Sequence, residues 1–132
     1  KIEIGTAYPS DNITSAEIKG RDLITGLPRT VTITSEETRI ALNDVLISIM
    51  ETVKATLEIT PPDLAADIID RGIFLAGGGS LIRGMARYIS EGTGILVSNA
   101  ENPVLCVALG AGKIVENLEN LMPLLLKVKY YR

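Results

Sequence analysis

Residues 72–80 read Gly-Ile-Phe-Leu-Ala-Gly-Gly-Gly-Ser, and this stretch decides the fold. The apolar run 72–76 is bounded by glycines, which predicts a short strand buried on both faces. Three glycines follow at 77–79, and Ser80 is placed to cap a helix that we expect to run to about Glu91. In an α/β sheet such a turn lies at the carboxyl edge, where ligands bind.

The triple glycine suits a nucleotide. Residues without Cβ let a ligand lie against the main chain, and a helix N-terminus behind them offers free N–H donors. The standard fingerprints are absent, because a dinucleotide motif needs glycine where Ile82 stands and a P-loop needs lysine where Met85 stands. The sequence therefore excludes a Rossmann or Walker site.

Each residue of the turn also has a purely structural explanation. A glycine cluster serves tight turning and close packing in many proteins. Ser80 has no histidine to activate it, so a helix cap is favoured over a nucleophile. Leu81 and Ile82 are core residues by default, or the apolar side of a purine slot if the loop binds one. Spacing alone leaves both explanations of the loop open.

Upstream of the loop, the pattern changes from strand to helix. Two antiparallel strands are predicted at 15–19 and 30–34, joined by a turn. Thr34 and Glu37 form a capping box, which predicts a helix that continues to about Glu58. Its apolar stripe recurs at three- and four-residue spacing and consists of Ile40, Leu42, Val45, Leu46, Ile49, Met50, Val53 and Leu57.

The remaining segments complete an α/β alternation. A second helix, with Thr60 as its cap and proline at its first position, is predicted to end near Asp70. Downstream of the loop, 95–97 is predicted as a buried strand, and Asn102-Pro103 opens a last helix through Leu118 or beyond. This order places parallel strands between helices.

Composition narrows the class of protein. A chain of 132 residues with 46% hydrophobic content builds one or two compact pieces, and a net charge of −3 gives no field that attracts nucleic acid. The absence of histidine excludes His-dependent catalysis, and the single Cys106 indicates a reduced, cytosolic protein. No apolar run reaches membrane-spanning length. Because the chain opens at Lys1 without methionine, we expect a piece of a longer protein.

Several motifs resemble the MreB branch of bacterial actins. The adenosine motif of that family is similar to residues 67–84, Asp-Ile-Ile-Asp-Arg-Gly-Ile-Phe-Leu-Ala-Gly-Gly-Gly-Ser-Leu-Ile-Arg-Gly. Four further segments look like the same family, in order and with family-like spacing: 1–5, 20–29, 60–66 and 101–112. With these motifs, the resemblance extends from residue 1 to about 118 and favours a binding role for the glycine loop.

The resemblance implies an α/β actin-like ATPase (ribonuclease H-like) fold, of which this chain supplies the second lobe only. It assigns 1–35 to a small tip subdomain with a β-hairpin and 36–103 to a nucleotide-binding base subdomain. The segment 104–132 is then a C-terminal helix returning to the first lobe, plus a tail. The residues expected to bind the adenosine are Lys1, Gly77, Gly78, Gly79, Ser80, Leu81 and Ile82.

The expected cofactor is ATP or ADP with Mg, whose metal and phosphates are held in this family mainly by earlier segments. No catalytic residue or metal ligand is predicted in this chain. Phosphoryl transfer depends on groups placed around the γ-phosphate, and in this family those groups belong to earlier segments. The carboxylate pairs have a simpler explanation as helix caps and solvated faces. These pairs are Glu36 and Glu37, Glu116 and Glu119, and Asp67 and Asp70.

The family resemblance predicts a subunit of head-to-tail filaments that control cell shape and cell-wall synthesis, at the inner face of the cell membrane. A membrane-embedded shape-complex adaptor is a further expected partner, and any membrane contact is peripheral and mostly through other regions. The alternative is a fragment of a small-molecule kinase of the same ATPase superfamily. The tail 120–132 matches no family pattern and is expected to be a short strand or a disordered end, with an interfacial role as the alternative.

Overall fold

The computed structural model describes residues 3–125, with side-chain burial described up to residue 122. Lys1 lies outside the described residues, so its predicted place at the nucleotide remains a prediction. In chain order the elements are β1 (Ser15–Arg21), β2 (Pro28–Thr34), α1 (Ser35–Glu58), α2 (Pro62–Arg71), β3 (Ile73–Leu75), a 3-10 turn (Gly78–Leu81), α3 (Met85–Thr93), β4 (Val97–Asn99), α4 (Cys106–Glu116) and α5 (Leu118–Leu125).

The predicted hairpin is confirmed and is longer than expected. β1 and β2 pair antiparallel, with a register that runs from Ser15 opposite Thr34 to Arg21 opposite Pro28. Both strands are exposed along most of their length. The hairpin therefore stands clear of the rest of the chain and leads directly into α1.

The capping box of α1 is also confirmed. The Thr34 hydroxyl accepts a hydrogen bond from the Glu37 N–H at 3.2 Å, and the Glu37 carboxylate accepts one from the Thr34 N–H at 2.8 Å. The helix ends at Glu58, as the sequence predicts. Its apolar stripe is narrower than predicted, because only Leu46 and Met50 are buried. The exposed members of the stripe are Ile40, Val45 and Ile49.

The start of α2 differs from the prediction. Pro62 occupies its first position and Pro61 its N-cap, with no side-chain cap. The Thr60 hydroxyl instead donates to the Thr56 carbonyl of α1 at 2.7 Å. Threonine hydroxyls often bond back to the carbonyl four residues earlier, and here that bond replaces the capping bond.

β3 and β4 pair in parallel, from Ile73 opposite Val97 to Leu75 opposite Asn99, which confirms the predicted α/β alternation. The expected burial of β3 on both faces is wrong within the described part of the chain. Ile73 and Leu75 are half-buried against the core, whereas Phe74 on the opposite face is 68% exposed. Residues 3–125 place helices on one face of this two-stranded sheet only, so Phe74 lacks a partner layer.

The last helix is split into two. Residues 102–105 form a turn, α4 begins at Cys106 and ends at Glu116, and Asn117 separates it from α5. Asn117 has a non-helical backbone, and its side-chain amide donates to the Lys113 carbonyl at 3.0 Å, which ends the first helix. The predicted short strand or disordered end is wrong for residues 120–125, which are helical. Residues 126–132 lie outside the described part.

The hydrophobic core lies between α1, α3 and the parallel strands. Its buried members are Ala7, Leu46, Met50, Met85, Ile89 and Val97. It anchors β3 and α3 on either side of the glycine turn and so fixes the position of that turn. Among residues 3–125, no helix has the length and apolarity needed to cross a bilayer.

Candidate functional site

The glycine turn is held by hydrogen bonds to main-chain carbonyls, within the turn and just before α4. Gly77 donates its N–H to the Pro103 carbonyl at 2.6 Å, which ties the turn to the segment before α4. The Ser80 N–H and hydroxyl both donate to the Gly77 carbonyl, at 3.3 and 2.7 Å. The Ile82 N–H donates to the Gly79 carbonyl at 3.2 Å. The result is a tight turn that does not depend on a ligand for its shape.

The backbone explains only one of the three glycines. Gly77 has φ 83° and ψ 171°, a conformation that is essentially restricted to glycine. Gly78 and Gly79 show no positive φ, and a Cβ at either position would meet no atom within 4 Å. Both are exposed. The folded chain therefore gives no steric or conformational reason for glycine at positions 78 and 79, and the turn is not sealed by packed side chains.

The structure brings Gly77, Gly78, Gly79 and Ser80 together in one turn but separates Leu81 from Ile82. Leu81, the last residue of the 3-10 turn, is 55% exposed, whereas Ile82 packs against the core. Leu81 is thus available to contact a base, and Ile82 is mainly a supporting residue.

The predicted capping role of Ser80 is wrong. Ser80 lies inside the 3-10 turn, is buried, and uses its hydroxyl to close that turn on Gly77. Helix α3 begins later, at Met85, after Gly84 in the left-handed conformation, and ends at Thr93. The two glycines at 77 and 84 let the chain bend twice, and the sequence pattern did not reveal the second bend.

A cluster that the sequence analysis missed lies next to the turn. Thr6 forms an isolated parallel bridge with Arg83, and the Ala7 N–H donates to the Arg83 carbonyl at 2.8 Å. The Arg83 guanidinium donates to the Thr14 hydroxyl at 3.0 Å. Arg83 therefore contacts both ends of the segment 6–14, which leads to the hairpin.

Tyr8 fixes the same segment to α3. Its hydroxyl donates to the Glu91 carboxylate at 2.7 Å, Arg87 donates to the other oxygen of Glu91 at 2.8 Å, and the Arg87 guanidinium lies 4.2 Å from the centre of the Tyr8 ring. The hydrogen bond to Glu91 raises the pKa of Tyr8, and the hydrogen bond from Arg87 lowers the pKa of Glu91. The i, i+4 spacing of Arg87 and Glu91 was the only sequence signal for this contact.

A cavity of about 210 Å³ lies beside Arg83, Gly84 and Arg87, and it is not lined by any of the predicted adenosine residues at 77–82. Within this chain the glycine turn is an open ledge, so a nucleotide there needs a second wall. An open ledge is consistent with a cleft whose opposite side comes from another part of the protein.

Residues 3–125 contain no group of three or more His, Cys, Asp or Glu side chains arranged to hold a metal ion. Glu36 is paired with Arg39, and Glu37 caps α1, and both contacts lower the pKa of these carboxyls. These two carboxylates are engaged in local structure.

The parallel strands, the flanking helices and the hairpin define a partial actin-like α/β fold. The structure of MreB5 of Spiroplasma citri bound to ADP superposes with a TM-score of 0.84 at 34% identity, covering 92% of this chain and 37% of that chain. MreB5 bound to AMPPNP gives a TM-score of 0.83. The sequence model of the MreB/Mbl protein family matches residues 1–123, and the chain belongs to that family.

Curated relatives extend the comparison to sequence. The cell shape-determining protein Mbl of Bacillus cereus is 47% identical over 121 residues, which cover 92% of this chain and 36% of that protein. The cell shape-determining protein MreB of Escherichia coli is 46% identical over 119 residues, which cover 90% of this chain and 34% of that protein. The chain thus spans about a third of the length of the curated relatives it matches.

Proposed function

We propose that this chain forms the adenosine-binding wall of an ATP-dependent bacterial actin homologue, whose filaments control cell shape and cell-wall synthesis. The observation that carries the proposal is the pair Gly78 and Gly79, at which the fold requires no glycine and a side chain would project into open space. A purine can lie on such bare main chain. Leu81 is the exposed apolar neighbour on the same turn.

The relatives support this function. Two are named for determining cell shape, and the MreB5 structures carry ADP and AMPPNP, two adenine nucleotides. In this proposal the residues of the present chain bind and orient the adenosine. Phosphates and Mg are held by other segments of the full-length protein, which supply charge neutralisation around the γ-phosphate.

The subdomain division follows the same proposal. Residues 1–35 form the tip subdomain, 36–103 the base that carries the glycine turn, and 104–132 the helix and tail that return to the first lobe. The hydrogen bond from the Gly77 N–H to the Pro103 carbonyl lies at the boundary between the base subdomain and the C-terminal segment. Lys1 is proposed to contact the nucleotide from the opposite wall.

Self-association into head-to-tail filaments is the proposed mode of action, in the cytoplasm at the inner face of the cell membrane. A membrane-embedded adaptor is a proposed partner. Residues 3–125 leave many large apolar side chains exposed, which is typical of surfaces covered by other protein. The matching family and the relatives favour this function over the kinase alternative, because they are MreB and Mbl proteins.

The experiment is nucleotide-dependent assembly of the complete gene product that carries this chain. We expect purified protein to sediment as filaments with ATP or AMPPNP and to remain in the supernatant without nucleotide. A matched assay should find no phosphate transfer to small sugars or polyols. Failure to bind any adenine nucleotide would contradict the proposal, and nucleotide binding with transfer to a small molecule would favour the kinase.

A further inference from the structure

The cavity of about 210 Å³ beside Arg83 and Arg87 has no part in the proposed nucleotide site. Its wall contains two guanidinium groups, several hydroxyl groups and no Asp or Glu side chain. The hydroxyl groups include those of Ser10 and Ser35, and the Tyr8 side chain forms another part of the wall. We call this space the arginine cavity. Two positive charges at one cavity are a local exception in a chain whose net charge is −3.

The guanidinium of Arg87 is fixed in orientation and still has donors to spare. It lies 4.2 Å from the centre of the Tyr8 ring, and its Nε donates to the Glu91 carboxylate at 2.8 Å. A guanidinium has five N–H donors in a rigid fork. Hydrogen bonds within residues 3–125 engage only the Nε of this side chain, so its two Nη groups are available to a ligand.

The guanidinium of Arg83 is held from another part of the chain. One Nη group donates to the Thr14 hydroxyl at 3.0 Å, and the Nε makes a long contact of 3.5 Å with the Gly5 carbonyl. The other Nη group forms no hydrogen bond within the described residues 3–125. Both arginines of the cavity are therefore oriented in advance, and a preorganised site loses little conformational entropy when a ligand binds.

Two serine hydroxyls add hydrogen-bond donors to the wall. Ser35 is only 4% exposed, and its hydroxyl accepts a hydrogen bond from the Thr14 N–H at 3.1 Å. The Ser10 hydroxyl accepts one from the Asn12 N–H at 3.3 Å. A hydroxyl that accepts can also donate, but neither serine donates to an acceptor among residues 3–125. Buried polar groups are normally satisfied, so the buried Ser35 hydroxyl at a cavity wall indicates a ligand that accepts hydrogen bonds.

We propose that the arginine cavity binds the phosphate group of a small water-soluble ligand, either inorganic phosphate or a phosphate monoester. Phosphate oxygens carry negative charge and accept hydrogen bonds, which matches guanidinium and hydroxyl donors. A bound anion also offsets the repulsion between two nearby cations, of which Glu91 neutralises only one. Pockets for drug-sized ligands measure roughly 300–1,000 Å³, so this smaller cavity suits a small anion better than a nucleotide.

The inference goes beyond the proposed nucleotide function and does not depend on it, because residues 77–82 do not line the cavity. The wall is assembled from separate segments of the chain, represented by Ser10, Ser35 and Arg87. A phosphate that bonds all three segments links them, and a ligand that binds only the folded state stabilises that state. We therefore expect phosphate to raise the melting temperature of the complete protein.

Isothermal titration calorimetry of the complete protein tests the binding. Inorganic phosphate and glycerol 3-phosphate are separate titrants, in chloride buffer at constant ionic strength, with and without saturating AMPPNP. We expect at least one titrant to bind at one site per chain, and the tighter of the two identifies the source of the phosphate group. AMPPNP should leave this affinity unchanged. Absence of binding by both titrants would overturn the proposal, as would displacement by AMPPNP, which would place the anion at the nucleotide site.

Substitutions locate the bound anion. Arg87→Gln removes a charge from an exposed side chain and should weaken phosphate binding at least roughly tenfold. Arg71→Gln, which removes the same charge from an exposed residue at the end of α2 outside the cavity, is the matched control and should bind phosphate normally. Ser10→Ala keeps both arginines and should weaken binding by roughly two- to tenfold, the loss of one hydrogen bond.

The outcomes separate this inference from the proposed function. Equal phosphate affinity in Arg87→Gln and Arg71→Gln would contradict the assigned cavity, and unchanged affinity in Ser10→Ala decides the same question if Arg87→Gln does not fold. If the complete protein binds AMPPNP and neither phosphate titrant, the cavity assignment is wrong and the nucleotide function stands. If it binds phosphate at this cavity and no adenine nucleotide, the nucleotide function is wrong and the cavity assignment stands.

Discussion

At the scale of single residues, glycine serves two different purposes in this chain. Gly72 and Gly77 have φ 79° and 83° with ψ near 180°, a region of backbone space that other residues rarely enter. Gly78 and Gly79 have no such requirement, and among residues 3–125, apart from their chain neighbours, no atom would lie within 4 Å of a Cβ at either position. The first pair is explained by folding, and we propose a bound ligand as the reason for the second pair.

The folding role predicts a stability difference. A Cβ at Gly72 would lie 2.6 Å from the Leu96 carbonyl oxygen, so Gly72→Ala combines backbone strain with a clash against the main chain. We expect a loss of about 2–3 kcal/mol in the free energy of unfolding. Gly94→Ala is the matched control, because Gly94 has φ 73° with open space around it and should lose about 1 kcal/mol. Urea unfolding of the chain measures both, and equal losses would contradict the steric argument.

At the scale of elements, local hydrogen bonds decide where α1 begins. The Glu37 carboxylate accepts hydrogen bonds from the Thr34 N–H and hydroxyl, and these bonds lower the pKa of Glu37. Arg39 lowers the pKa of Glu36 in the same turn, and two main-chain N–H groups lower that of Asp22 in the hairpin. Several elements are therefore held by ionised carboxylates.

This arrangement predicts how stability depends on pH. A carboxyl whose pKa is lower in the folded than in the unfolded state stabilises the fold above the unfolded value, about 4.3 for glutamate. That stabilisation is lost as pH falls through the folded value. Glu37→Gln keeps a side chain that can accept the capping bond but cannot titrate, so its melting temperature should fall less than that of the unchanged protein between pH 5 and pH 3. Glu51→Gln, exposed in the middle of α1, is the control. An unchanged pH profile in Glu37→Gln would contradict the capping account.

The sequence predicted the elements whose signals are local. The capping box, the hairpin and the strand before the glycines each have a short-range pattern, and the structure confirms their type and order. The cap of α2, the split of the last helix at Asn117 and the role of Ser80 were predicted wrongly. In each case a polar side chain donates a hydrogen bond to a nearby main-chain carbonyl: Thr60 and Ser80 do so where a helix cap was predicted, and Asn117 does so inside a predicted helix. The residue pattern alone does not tell which of the available hydrogen bonds such a side chain forms.

The sequence predicted the part of the candidate site whose residues are neighbours in the chain. The glycine turn is contiguous in sequence, so its residues could be named without a structure. The Tyr8, Arg87 and Glu91 contact and the bridge between Thr6 and Arg83 join segments more than 70 residues apart, and one sequence gives no signal for such pairs. The exposure of Phe74 could not be predicted either, because strand composition alone does not tell how many layers cover a sheet.

At the scale of the whole molecule, the features of the chain fit the proposal that it is one wall of a cleft. Its core is small, its glycine turn is an open ledge, and it spans about a third of its curated relatives, 36% in the case of the Bacillus cereus protein. Arg83, which follows the glycine turn in sequence, donates to Thr14 immediately before the hairpin, so one side-chain contact joins the segment after the turn to the base of the hairpin.

The central claim is that positions 78 and 79 are bare so that a purine can lie on the main chain, and ATP affinity of the complete protein tests it most directly. We predict that Gly78→Val abolishes measurable ATP binding while leaving the melting temperature unchanged, because the new side chain enters the ligand space and not the core. Gly20→Val is the matched control, since Gly20 also has open space and an unrestricted φ but lies on the hairpin, and it should bind ATP normally. Unaltered ATP affinity in folded Gly78→Val would contradict the account.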